Sequence, residues 1–79
     1  MIMKSREGFI REFGKEYGEH WIPEMREWVK ETEVSGVSRF TAGYFCLGKQ
    51  GDTVRAVLYR SGNSREEYVW EIPGQEAES

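Results

Sequence analysis

The stretch Arg39–Ile72 most constrains the fold, because it reads as β-structure with apolar side chains on both faces. Three runs, Arg39–Leu47, Thr53–Arg60 and Glu66–Ile72, are rich in the β-branched and aromatic residues that suit a pleated surface. Gln50-Gly51 fits a tight hairpin and Ser61-Gly-Asn-Ser-Arg65 a longer one. Pairing Lys49 with Asp52 sets Phe45 opposite Ala56, Leu47 opposite Val54 and Gly43 opposite Leu58. Pairing Arg60 with Glu66 sets Leu58 opposite Tyr68, Ala56 opposite Trp70 and Val54 opposite Ile72. These residues form one continuous apolar face of a three-stranded antiparallel β-meander.

Alternation puts Phe40, Ala42, Tyr44, Cys46, Arg55, Val57, Tyr59, Glu67, Val69 and Glu71 on the opposite face. Arg55 then meets Glu71 and Tyr59 meets Glu67, reasonable cross-strand neighbours. A slip of one residue in either hairpin would exchange the two faces.

Before the strands, apolar residues recur at Phe9, Ile10, Phe13, Tyr17, Trp21, Ile22, Met25, Trp28 and Val29, a helical stripe with a spacing close to 3.6. Ser5 is a fair N-cap with Glu7 in the first turn. Gly8, Gly14 and Gly18 weaken the helix, and Pro23 cannot donate to the preceding turn, so a break is expected near Gly18–Pro23. The second helical piece should run from about Pro23 to Thr32, with Val34–Ser38 as connector. The expected fold is α+β, a broken helical segment packed on one face of the meander.

Seventy-nine residues make one domain, expected over 1–73, with the acidic stretch 74–79 expected to be a disordered tail. A chain this short buries only about 60% of its extended surface, so stability depends on a dense core or on self-association. Eleven aromatics supply that density. The net charge is −3, so no global basic field attracts nucleic acid. One cysteine, and no apolar run long enough for a signal-peptide core or a membrane span, point to the cytoplasm with no membrane partner. Met1 and Met3 offer alternative starts.

Catalytic chemistry has little to build on. Cys46 and His20 are the only thiol and the only imidazole; on the expected register Cys46 points away from the helix-covered face while His20 lies at the helix break, and no orienting Asp or Asn is evident beyond Asp52 and Asn63, both in turns. Zinc would want three or four ligands, and one Cys with one His must recruit glutamates at no recognisable spacing. Glu12, Glu16 and Glu19 share a helical side but interleave with Arg11 and Lys15, as on a solvated face. Gly48-Lys-Gln-Gly51 is a hairpin turn rather than a phosphate loop. No cofactor, metal or catalytic residue is therefore expected, and the chain is not expected to be an enzyme.

Surfaces remain. One helical layer covers one side of a sheet, leaving Phe40, Tyr44, Val57, Tyr59 and Val69 as an apolar patch of the size that marks an interaction site, with Arg55 and Glu67 at its rim. Three coverings compete: the chain's own helices, a second copy in a homodimer, and a foreign partner. The expected function is that of a small protein-binding inhibitor or adaptor that occludes a larger protein target. Phage inhibitors of host defence or host transcription share this general character, a likeness of type carried by no motif. The alternative is an RNA- or single-stranded-DNA-binding regulator, stacking bases on Phe40, Tyr44 and Tyr59 with Arg39, Arg55, Arg60 and Arg65 near the phosphates.

Overall fold

The computed structural model describes residues 5–72; the expected tail at 74–79 and the two candidate start methionines lie outside the described residues. Helix α1 spans Arg6–Tyr17, a 3-10 turn Glu19–Trp21, and helix α2 Ile22–Ser35. Strands β1 (Arg39–Thr41), β2 (Phe45–Gln50), β3 (Thr53–Arg60) and β4 (Ser64–Glu71) follow. They form one antiparallel sheet in the order β1-β2-β3-β4. No helix among the described residues is long and apolar enough to cross a membrane.

Local chemistry explains the helix ends. The Ser5 hydroxyl accepts a hydrogen bond from the Gly8 amide at 3.0 Å, satisfying one of the unpaired donors of the first turn. The break falls where the glycine and proline pattern places it, at Gly18 (φ 124) followed by the 3-10 turn. Helix α2 runs three residues beyond the expected Thr32, because Gly36 caps it in the left-handed conformation with its N–H on the Thr32 carbonyl at 2.9 Å. Gly14 has a packing role: a Cβ there would sit 2.7 Å from Ile22, so its absence lets the first turn of α2 close on α1.

The sheet has four strands where three were expected. The run Arg39–Leu47 is interrupted at Ala42-Gly43-Tyr44, a turn in which the Tyr44 amide donates to the Thr41 carbonyl at 3.0 Å and Gly43 takes a φ of 84. A glycine inside a strand pattern is where such a reversal can form without Cβ strain. β1 therefore folds back on β2, with Phe40 opposite Cys46.

Both expected hairpin registers are corrected by two residues. The first turn is Gly51-Asp52, so Phe45 faces Leu58 and Leu47 faces Ala56. The second turn is Ser61–Asn63, so Leu58 faces Glu66, Ala56 faces Tyr68 and Val54 faces Trp70. Gly43, expected opposite Leu58, is in the β1–β2 turn. An even slip leaves each side chain on its assigned face. The inner face is accordingly the expected one: Phe45, Leu47, Val54, Ala56, Leu58, Tyr68, Trp70 and Ile72 are buried against Phe9, Ile10, Phe13, Met25 and Val29 of the helices. Aromatic edges organise the contact, with Phe9 meeting Tyr68 and Phe13 meeting Phe45, each at 5.5 Å between ring centres.

Two charged groups lock helices to sheet. The Glu33 carboxylate in α2, nearly buried, accepts from Arg6 Nε and from the Trp70 indole N–H, each at 2.9 Å, and so ties α1, α2 and β4 together. Arg60, at the end of β3, donates to Glu12 at 2.8 Å, Glu16 at 3.2 Å and Glu66 at 2.9 Å. Glu12 and Glu16 thus turn inward to the sheet end, whereas the sequence placed them on a solvated face.

Candidate functional site

Among the described residues no helix covers the second face of the sheet, and its side chains follow the ladder in rows. Phe40, Cys46, Val57 and Glu67 are successive partners across all four strands. Gly48, Arg55 and Val69 form the next row, and Tyr59 pairs with Arg65 on the other side. Phe40 and Val69 are 65% and 49% exposed, while Val57 and Tyr59 are half-buried by their neighbours. Gly48 has no side chain to set beside Arg55 in the second row.

Of the seven residues the sequence assigned to partner binding, the structure brings six onto this face: Phe40, Arg55, Val57, Tyr59, Glu67 and Val69. Arg55 was expected to meet Glu71; in the observed register it faces Val69, and its guanidinium pairs diagonally with Glu67. That pair neutralises the centre of the patch. Tyr59, expected opposite Glu67, lies opposite Arg65.

Tyr44 is the exception. The turn at 42–44 removes it from the strand alternation, and its ring meets Tyr17 of α1 edge-on at 5.2 Å between centres. The Tyr17 hydroxyl donates to the Tyr59 carbonyl, with the Gly43 carbonyl 3.3 Å away, pinning the turn to the end of β3. Burial, then the neighbouring Glu16 carboxylate, holds the Tyr17 phenol above the usual tyrosine range.

Tyr44 instead borders an open groove of about 510 Å3 on the helix side, with Tyr17, Trp21 and Trp28 as walls, Thr41 as its polar group and Phe45 beneath. Trp28 stacks on Phe45 at 5.5 Å, and the Arg39 guanidinium lies 5.1 Å over the Trp28 ring, itself paired with Glu31 at 3.0 Å. Trp21 and Tyr44 are 37% and 50% exposed. Sequence reasoning assigned Trp21 and Trp28 to a helical stripe and missed the groove. Nine apolar positions spread across a chain reversal are more than one sheet face can hide, and that excess was the available signal.

The groups considered for catalysis are dispersed. Cys46 is half-buried on the uncovered sheet face, and His20 lies in the helical layer against the Trp21 ring at 5.5 Å. Among the described residues no cluster of three or more His, Cys, Asp or Glu side chains could hold a metal ion. The carboxylates that do converge, Glu12, Glu16 and Glu66, surround the Arg60 guanidinium, and the hydrogen bonds to Glu12 and then Glu66 hold it charged above even its ordinary range. Three of the four arginines considered for phosphate contact, Arg39, Arg55 and Arg60, are engaged by carboxylates, while Arg65 makes no ion pair among the described residues.

Comparison of the chain with family models, with curated proteins and with solved structures finds no match.

Proposed function

We propose that this chain is a small protein-binding inhibitor or adaptor that acts by occlusion, with no bond made or broken. One observation supports it above the others: among the described residues the four-stranded sheet keeps one face free of helices, and that face presents Phe40, Val57, Tyr59 and Val69 around an internally compensated Arg55–Glu67 pair. Aromatic and aliphatic anchors with charge confined to a matched pair resemble the desolvated centre of a binding hot spot. A larger protein docking there covers the apolar rows and leaves Arg65 and Glu71 at the rim. Tyr44 drops out of the contact set.

The test is comparative retention from a native host lysate on immobilised protein. A Val57→Lys/Val69→Lys variant, its fold checked by near-UV circular dichroism, should lose a stoichiometric protein that wild type and Tyr44→Ala both retain. Retention should survive about 0.5 M salt, which releases a nucleic-acid ligand held through phosphates. A protein partner lost on Tyr44→Ala and kept on the double lysine variant would transfer the site to the aromatic groove. Retention of nucleic acid alone, released by salt, would refute the occlusion mechanism.

A further inference from the structure

We infer that β4 is a self-pairing edge, through which two copies of this chain join antiparallel about a two-fold axis at Tyr68 into one eight-stranded sheet. This goes beyond the occlusion proposed above: it uses the backbone edge of β4 rather than the uncovered face, although Glu67 and Val69 take part in both.

The first observation is the direction of the backbone groups. The Ile72 amide donates to the Asp52 carbonyl at 2.9 Å, so even-numbered residues of β4 point their N–H and C=O groups toward β3. The odd-numbered residues Arg65, Glu67, Val69 and Glu71 therefore point theirs away from the sheet. Among the described residues no strand lies beyond β4, which runs eight residues without proline or bulge. The opposite edge, β1, is three residues long and ends in a turn. Long regular edges are templates for pairing unless something blocks them.

The second observation selects the partner and the register. A two-fold pairing keeps inner side chains beside inner ones only if the axis passes through a residue. Centred on Glu66 or Glu67, the pairing sets a carboxylate against its own copy. Centred on Val69, it sets Glu67 against Glu71 of the second copy, twice. Centred on Tyr68, it sets Arg65 against Glu71 of the second copy and, by symmetry, Glu71 against Arg65. Both side chains are exposed, and neither makes an ion pair among the described residues. The same register pairs Glu67 with Val69 of the copy, so every outward backbone group between Arg65 and Glu71 finds its complement. One strand thus carries both halves of a self-complementary code, as a two-fold interface requires.

Sedimentation equilibrium of the full chain from about 1 μM to 1 mM tests this, the range spanning weak to moderate association. Wild type should pass from 9.2 kDa to twice that mass. Glu67→Pro removes an outward N–H without touching the β3 ladder and should leave a folded monomer. Arg65→Glu and Glu71→Arg should each weaken the dimer about tenfold or more, since each sets like charges opposite one another twice. Their equimolar mixture, and the Arg65→Glu/Glu71→Arg double variant, should recover wild-type affinity. If Glu67→Pro fails to fold, the charge variants decide alone. A wild type that stays at 9.2 kDa at the highest concentration overturns the inference, as does a dimer indifferent to charge reversal or one not rescued by the double exchange.

Discussion

Replacing Glu33 by alanine should cost this protein more than any other single surface-to-interior polar change. The carboxylate is 6% exposed and holds two donors, Arg6 Nε and the Trp70 indole N–H, each at 2.9 Å. On Glu33→Ala the Arg6 guanidinium, 27% exposed, can turn to water at a cost of about 0–1 kcal/mol, the range of an exposed ion pair. The indole N–H cannot, because Trp70 is walled in by Phe9; a buried donor left unsatisfied costs about 1–3 kcal/mol. Relief from burying a carboxylate offsets part of this, leaving a net loss of about 1–3 kcal/mol. For a domain of this size that lowers Tm by about 5–20 °C. Glu33→Gln keeps an acceptor for the indole and should cost about 1 kcal/mol. Urea denaturation of Glu33→Ala, Trp70→Phe and the double variant should give a coupling of about 1–2 kcal/mol between the two sites. A Glu33→Ala variant within about 0.5 kcal/mol of wild type, or a coupling near zero, would refute the bridge as a stabilising element.

Other substitutions and pH changes test the remaining contacts. Gly14→Ala drives a methyl group to within 2.7 Å of the stiff Ile22 side chain and should destabilise by about 1–3 kcal/mol in thermal denaturation, with Ile22→Val partly restoring the loss. Burial, then the hydrogen bond to Glu66, pushes the Tyr68 phenol up to about 12. Because that raises it above its unfolded value, the stability it contributes is whole below pH 10 and lost as pH climbs toward 12; Tyr68→Phe should flatten this alkaline fall in Tm. The hydrogen bond from Arg60 holds Glu12 below the usual carboxylate range. Its contribution is present above that range and disappears as pH falls through the lowered folded value, so Arg60→Met should weaken the acid dependence and cost about 1–2 kcal/mol near neutrality.

The faces of the sheet were legible in the sequence because alternation survives an even slip. Both hairpins are displaced by two residues from the expected pairing, yet Phe45, Leu47, Val54, Ala56 and Leu58 all point inward as assigned. The pairings themselves depended on which residues occupy the turn, and Gly51-Asp52 won over Gln50-Gly51. Tyr44 departs from the expected face because a single glycine inside a strand pattern does not by itself announce a reversal, and Gly43 marks the one that moves the ring to the helix side. Glu33 and Arg60 were illegible for another reason. Their most distant partners lie 37 and 48 residues away, and no local pattern distinguishes a glutamate that will be enclosed from one that stays wet.

The contiguous strand order carries a kinetic consequence. Each ladder joins chain neighbours through a turn of two or three residues, so the meander can zip up from its hairpins with little loop entropy to overcome. Helix α1 fastens to the sheet end across 48 residues, through Glu12 and Arg60. That contact closes a far longer loop than any hairpin does, and Phe9 and Phe13 of α1 share the core with Tyr68 and Trp70, so the sheet can hide its inner aromatics only once the helix is in place.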